Sequence, residues 1–182
     1  MLLLEVTTLE LGGDVRAAGL ELRAAGEEPA HGPETPAIWA RVLPALAGEE
    51  AWALDYFSHL KRVREFCARH GIAAREEPGR ALVVPAPSRE QLEALIARFA
   101  AETFGARAGQ ALAAGDAAVE RELVRRGLDA YHLVFGRYLF CAVCEFSDGS
   151  LVVLSQSLGP AEIVRRVKPA LQGLEVEVFQ PS

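Results

Sequence analysis

The fold turns on one stretch: Tyr138-Leu139-Phe140-Cys141-Ala142-Val143-Cys144-Glu145-Phe146, then Ser147-Asp148-Gly149-Ser150, then Leu151-Val152-Val153-Leu154. Asp-Gly between two apolar runs is the strongest short hairpin signal, so two antiparallel strands with a tight turn are predicted. Downstream, Ile163, Val164 and Val167 recur at helical spacing, and Leu174, Val176 and Val178 alternate as a last strand. Strand, turn, strand, helix, strand predicts an α+β protein with helices packed on a mainly antiparallel sheet. In the first strand Phe140, Ala142, Cys144 and Phe146 point one way, and Leu139, Cys141 and Val143 the other. Strands apolar on both faces are buried on both. Helices cover one face; the second needs more helices or a partner subunit, so a symmetric homo-oligomer is expected.

Upstream, Leu2, Leu4 and Val6 alternate as a strand, Gly12-Gly13-Asp14 forms a turn, and Leu20–Arg23 returns. Gly26–Pro36 reads as a loop. Thr35-Pro36 starts a helix that Pro44 is expected to end. Trp52, Tyr56, Leu60, Val63 and Cys67 then form one apolar stripe, predicting a longer helix over Glu49–His70 with Gly71 as its left-handed stop. Ile72–Glu77, Pro78-Gly79 and Ala81–Val84 predict a second hairpin. Ser88-Arg89-Glu90-Gln91 is a capping box ahead of a helix buried through Leu92, Leu95, Ile96 and Phe99. The Ala-rich sequence with Gly105, Gly109 and Gly115 reads as a loose helix or a connection, and Asp116 caps a helix through Arg126. The chain is taken as one globular domain over 1–182. Its halves would be 1–108, a hairpin plus helix–hairpin–helix, and 109–182, helix–hairpin–helix–strand. The two hairpin–helix units suggest a weak internal duplication, although short units of this kind look alike for generic reasons.

Composition narrows the function. The chain of 182 residues is 51% hydrophobic and 24% charged, ordinary for a globular protein with a real core. The longest apolar runs fall far short of a membrane span. The net charge of −6 disfavours nucleic acid, which needs a cationic surface. The three cysteines form an odd set, and the N-terminus lacks a positively charged leader, which together predict a reducing cytoplasm. Lysine is confined to Lys61 and Lys168 and asparagine is absent, a bias that suggests a GC-rich bacterial genome.

Four groups of residues could carry chemistry. Cys141 and Cys144 have redox or zinc spacing, but residues three apart on a strand face opposite ways, about 10 Å apart at Cα, beyond disulfide reach. They read as core packing. Cys67 and His70 share a helical face and are metal ligands by type, with His132 the residue a zinc site would recruit. Two ligands make half a site, so no metal is assigned. Asp55 and His59 are four apart on the expected helix, where a carboxylate would orient a general base, and His70 falls near the same line. A solvated helix face explains the same residues. Lys61, Arg62, Arg64 and Arg69, with Arg125-Arg126 and Arg165-Arg166-Lys168, form basic stripes that an anion or acidic partner could use, or that are ordinary outer faces.

No cofactor motif and no catalytic motif is present. The expected role is a cytoplasmic binding, regulatory or assembly protein, self-associating, with a protein partner or a small molecule as ligand and neither nucleic acid nor membrane. The competing expectation is a small enzyme using His59, His70 and Asp55, with Cys67 or zinc assistance, along the helix 49–70.

Overall fold

The structure, a computed structural model, describes residues 1–10, 16–24, 32–56, 59–77, 81–99, 104–111, 138–145, 150–155 and 158–181. It is an α+β protein: a nine-stranded sheet with helices packed on it. The strands are β1 (Leu2–Glu10), β2 (Arg16–Ala24), β3 (Trp52–Tyr56), β4 (Arg75–Glu77) and β5 (Ala81–Pro85), then β6 (Phe104–Ala111), β7 (Tyr138–Glu145), β8 (Ser150–Ser155) and β9 (Val176–Phe179). The helices are α1 (Thr35–Ala47), α2 (Leu60–Arg69), α3 (Arg89–Phe99) and α4 (Pro160–Ala170). The sheet order is β4-β5-β3-β6-β7-β8-β2-β1-β9. Every neighbouring pair is antiparallel except β1 and β9, which run parallel.

The decisive hairpin is present, with Glu145 opposite Ser150 and Phe140 opposite Ser155. Its Asp148-Gly149 turn lies outside the described residues, as do the turns expected at Gly12-Gly13-Asp14 and Pro78-Gly79 and the helix expected from Asp116 to Arg126. The second hairpin forms as β4 and β5, and the N-terminal one as β1 and β2. β3, α2, β4, β5, α3 and β6 make two interleaved crossovers, the split β-α-β arrangement. At the other end β8, α4 and β9 form a crossover that passes over β2 and β1, so the N-terminal hairpin is seated between C-terminal strands.

Three expectations are corrected. The helix over 49–70 is a strand followed by a shorter helix, because Leu54 and Tyr56, two apart, are both buried in the core beneath the helices, while Asp55 faces the other way. The break falls at His59, whose backbone is left-handed at φ 52°. Gly105 and Gly109 lie in β6, a strand between β3 and β7 whose Ala106 and Ala108 face the core. Pro44 does not end α1, which runs to Ala47. An interior proline costs about 3 kcal/mol. Burying Leu46 and Ala47 in the last turn offsets much of that, since one fully buried leucine contributes roughly 2 kcal/mol. Arg166 also donates Nη1–H to the Leu46 carbonyl at 2.8 Å, satisfying one of the carbonyls the helix end leaves open.

The core lies between one sheet face and the helices. Leu4, Val6, Leu20, Leu22, Leu54, Tyr56, Leu82, Val84, Ala106 and Ala108 alternate into it from five strands. They meet Trp39 and Leu43 of α1, Val63 and Phe66 of α2, Leu95 and Phe99 of α3, and Ile163 and Val167 of α4. Phe66 and Phe99 cross edge to face with centroids 5.3 Å apart, and Tyr56 lies at 6.1 Å from Phe99.

Candidate functional site

On the other sheet face the residues change character along the strand order. At β1 and β2 the outward positions are Glu5, Thr7, Glu21 and Arg23, with Arg23 bridging Glu21 at 2.9 Å and Glu5 at 3.5 Å. At β3, β5 and β6 the same face is covered: Val83 is 0% and Asp55 5% exposed. Asp55 sits opposite Val83 and Gly105, and Arg107 two places along β6 donates Nε–H to its Oδ2 at 2.6 Å. The backbone register also sets Arg107 opposite Cys141 on β7.

The residues expected to form a His/Cys site are dispersed. Asp55 belongs to β3 and is committed to Arg107. His59 caps the start of α2 and His70 its end, both exposed, with about ten residues of helix between them, roughly 15 Å of rise. His70 packs its ring on Phe66, centroids 4.2 Å apart. Cys67 points into the core at 1% exposure, and burial pushes its thiol pKa up, against the thiolate that metal binding or nucleophilic attack requires. His59 and His70 therefore stand at the two ends of one helix. His132 lies outside the described residues. Cys141 and Cys144 occupy β7, three positions apart. Among the described residues no group of three histidine, cysteine or acidic side chains could hold a metal ion.

The basic stripes are partly answered by neighbours. Arg64 bonds Glu76 at 2.8 Å, and Glu162 takes Arg165 and Arg166 at 2.6 and 2.8 Å. The hydrogen bonds from Arg165 and then Arg166 hold the Glu162 carboxyl down at about 2. Arg125 and Arg126 lie outside the described residues.

Sequence reasoning passed over the cleft at the β9 corner of the sheet. It has a volume of about 510 Å³ and is lined by Met1, Leu2, Ala24, Ala37, Ile38, Leu174 and Val176, together with Glu34 and Glu175. Each wall has a local cause. The Glu175 carbonyl accepts Leu2 N–H at 2.9 Å and so joins β9 to β1. Glu34 is the N-cap of α1 yet makes no side-chain cap bond. Its carboxylate folds over Gly32, where any Cβ would collide with it. Pro36 in the first turn fixes how the helix enters. No signal in the sequence brings residues 2, 34, 37 and 175 together; only the parallel pairing of β9 on β1 does.

No family model matches the chain, and neither a curated protein nor a solved structure matches it. No helix among the described residues is long and apolar enough to cross a membrane.

Proposed function

We propose that the chain is a cytoplasmic binding protein whose small-molecule ligand seats in the cleft between β1, β9 and the start of α1. The observation that carries this is the cleft itself: about 510 Å³, floored by apolar side chains and edged by a few polar groups. Binding sites for small ligands have this size and this composition. The net charge of −6 keeps nucleic acid out of the proposal. The test is a set of small ring compounds of different charge titrated into labelled protein. Methyl resonances of Leu2, Leu174 and Val176 should shift with at least one of them. Ala37→Trp, which fills the cleft from α1, should abolish the shifts while leaving the circular dichroism unchanged. Cleft methyls that stay still with every probe would refute the reading.

The same corner favours self-association. β9 is an edge of the sheet, and Phe179 on it is 36% exposed, whereas the opposite edge β4 carries Arg75, Glu76 and Glu77. Charged edges resist pairing and apolar ones invite it. We propose a symmetric dimer formed along β9.

A further inference from the structure

We propose that Gly173–Phe179, the chain beyond α4, is a strap that opens and closes the cleft at the β9 corner, turning at Gly173. That the opening admits a ligand rests on the reading of the cleft above; the opening itself does not. Leu174, Glu175 and Val176 line the cleft from this segment, whereas Ala37 and Ile38 line it from α1 and Leu2 from β1. The two sides are held very unequally. Leu4, Val6, Leu20 and Leu22 are fully buried in β1 and β2, and β1 pairs with β2 along its whole length. Among the described residues beyond Leu171, Val178 alone is buried. The strap pairs on one side only, with Leu2–Glu5 of β1, and ends the sheet. A segment with few buried side chains and a short edge ladder opens at a lower free energy than the core.

The turn ahead of the strap is placed to pivot. Helix α4 itself is fixed: Ile163, Val167 and Leu171 sit in the core, and Arg166 ties the helix to the Leu46 carbonyl at the end of α1. Gly173 follows at φ 87°, and glycine exchanges positive for negative φ at little cost. Arg41 is the catch. It lies one turn beyond Ala37 and Ile38 on α1, and its Nη1 donates to the carbonyls of Ala170 and Gln172, both at 3.4 Å. A cation there answers carbonyls that the end of α4 leaves open. These bonds hold the turn against the same helix that forms the opposite wall, so they set how far the strap stands from α1. Both are long, and the second is exposed, so they are weak enough to release.

Amide hydrogen exchange in the full chain tests this, at a dilution where light scattering reports monomer, comparing Leu174–Phe179 with Arg16–Ala24 of β2. The strap should exchange at least about tenfold faster than β2. Arg41→Met keeps the stem and removes the donors; it should speed exchange in Leu174–Phe179 about threefold to tenfold and leave Arg16–Ala24 unchanged. Arg41→Lys should recover part of the difference. Leu3→Cys with Glu177→Cys, opposite each other across β1 and β9, ties the strap down when oxidised and frees it when reduced. Oxidation should slow strap exchange to the rate of β2. It should also slow the entry of cyclohexanol, read by methyl NMR at Leu2 and Leu174. Strap exchange no faster than that of β2 in the wild type overturns the proposal. So does Arg41→Met exchange that rises equally in both segments, which marks a loss of global stability. Cyclohexanol that enters the oxidised and reduced forms equally fast overturns the strap as a gate. Exchange that follows these expectations with no cyclohexanol signal upholds the strap and counts against the cleft as a ligand site. If the cysteine pair does not fold, the wild type and Arg41→Met decide the proposal.

Discussion

Asp55 and Arg107 are a carboxylate and a guanidinium 2.6 Å apart on a largely covered part of the sheet. Removing either one takes from a mostly buried charge a counter-charge at hydrogen-bond distance, and breaking such a pair destabilises by about 3 kcal/mol or more. Asp55→Ala and Arg107→Met should each lower stability by that order in urea unfolding. The double variant Asp55→Val with Arg107→Met should lose much less than the sum, because it leaves no charge behind. Additive losses would mean that the two side chains do not depend on each other. Ala53 and Val83 on the same face as Asp55 are buried too.

Helix α4 shows how one half-buried carboxylate joins two elements. Glu162 holds Arg166, and Arg166 reaches the Leu46 carbonyl at the end of α1. Because the Glu162 carboxyl is lowered from 4.5 to about 2 in the folded chain, folding favours its charged form. That contribution is present above 4.5 and is lost as pH falls through about 2. Wild type should therefore exceed Glu162→Gln in stability at neutral pH, and thermal melts should show the gap closing across that acid window. A gap independent of pH would assign the effect to packing. The capping box of α3 was legible because its signal is local: Gln91 N–H meets Ser88 Oγ at 3.2 Å, and Ser88 N–H meets Gln91 Oε1 at 3.0 Å. Gly71, at φ 64° after α2, was legible for the same reason. The strand β3 was not. Trp52, Tyr56, Leu60, Val63 and Cys67 fit a helix as well as they fit a strand followed by a helix, and no glycine or proline lies between Gly48 and Gly71 to mark the break. β6 was hidden for a different reason. Its sequence Phe104–Ala111 has poor strand propensity, and its two neighbouring strands, not its own residues, make it a strand. Arg107 was missed with it. The cleft could not be seen at all, since its walls come from parts of the chain that only the sheet order unites.

The two ends of the sheet differ in what they offer a neighbour. β4 has the sequence Arg75-Glu76-Glu77, whereas β9 exposes Phe179 beside a single charge, Glu177. If the β9 edge pairs with a second copy, light scattering at micromolar concentration should report a dimer. Phe179→Lys, which places a charge on that edge, should give a monomer with unchanged circular dichroism. A monomeric wild type would remove the proposal. Seating β1 and β2 between β8 and β9 also has a consequence for how the chain is made. The hairpin leaves the ribosome before β8 and β9, and β2 cannot meet β8 until roughly 125 more residues have followed, some 6 to 25 s at about 5–20 residues per second. β3 through β6 can pair among themselves in that interval, since their crossovers are closed within Trp52–Ala111. Leu4, Val6, Leu20 and Leu22 thus wait through that interval for the neighbours that β8 and β9 bring, and β9 closes the sheet against β1.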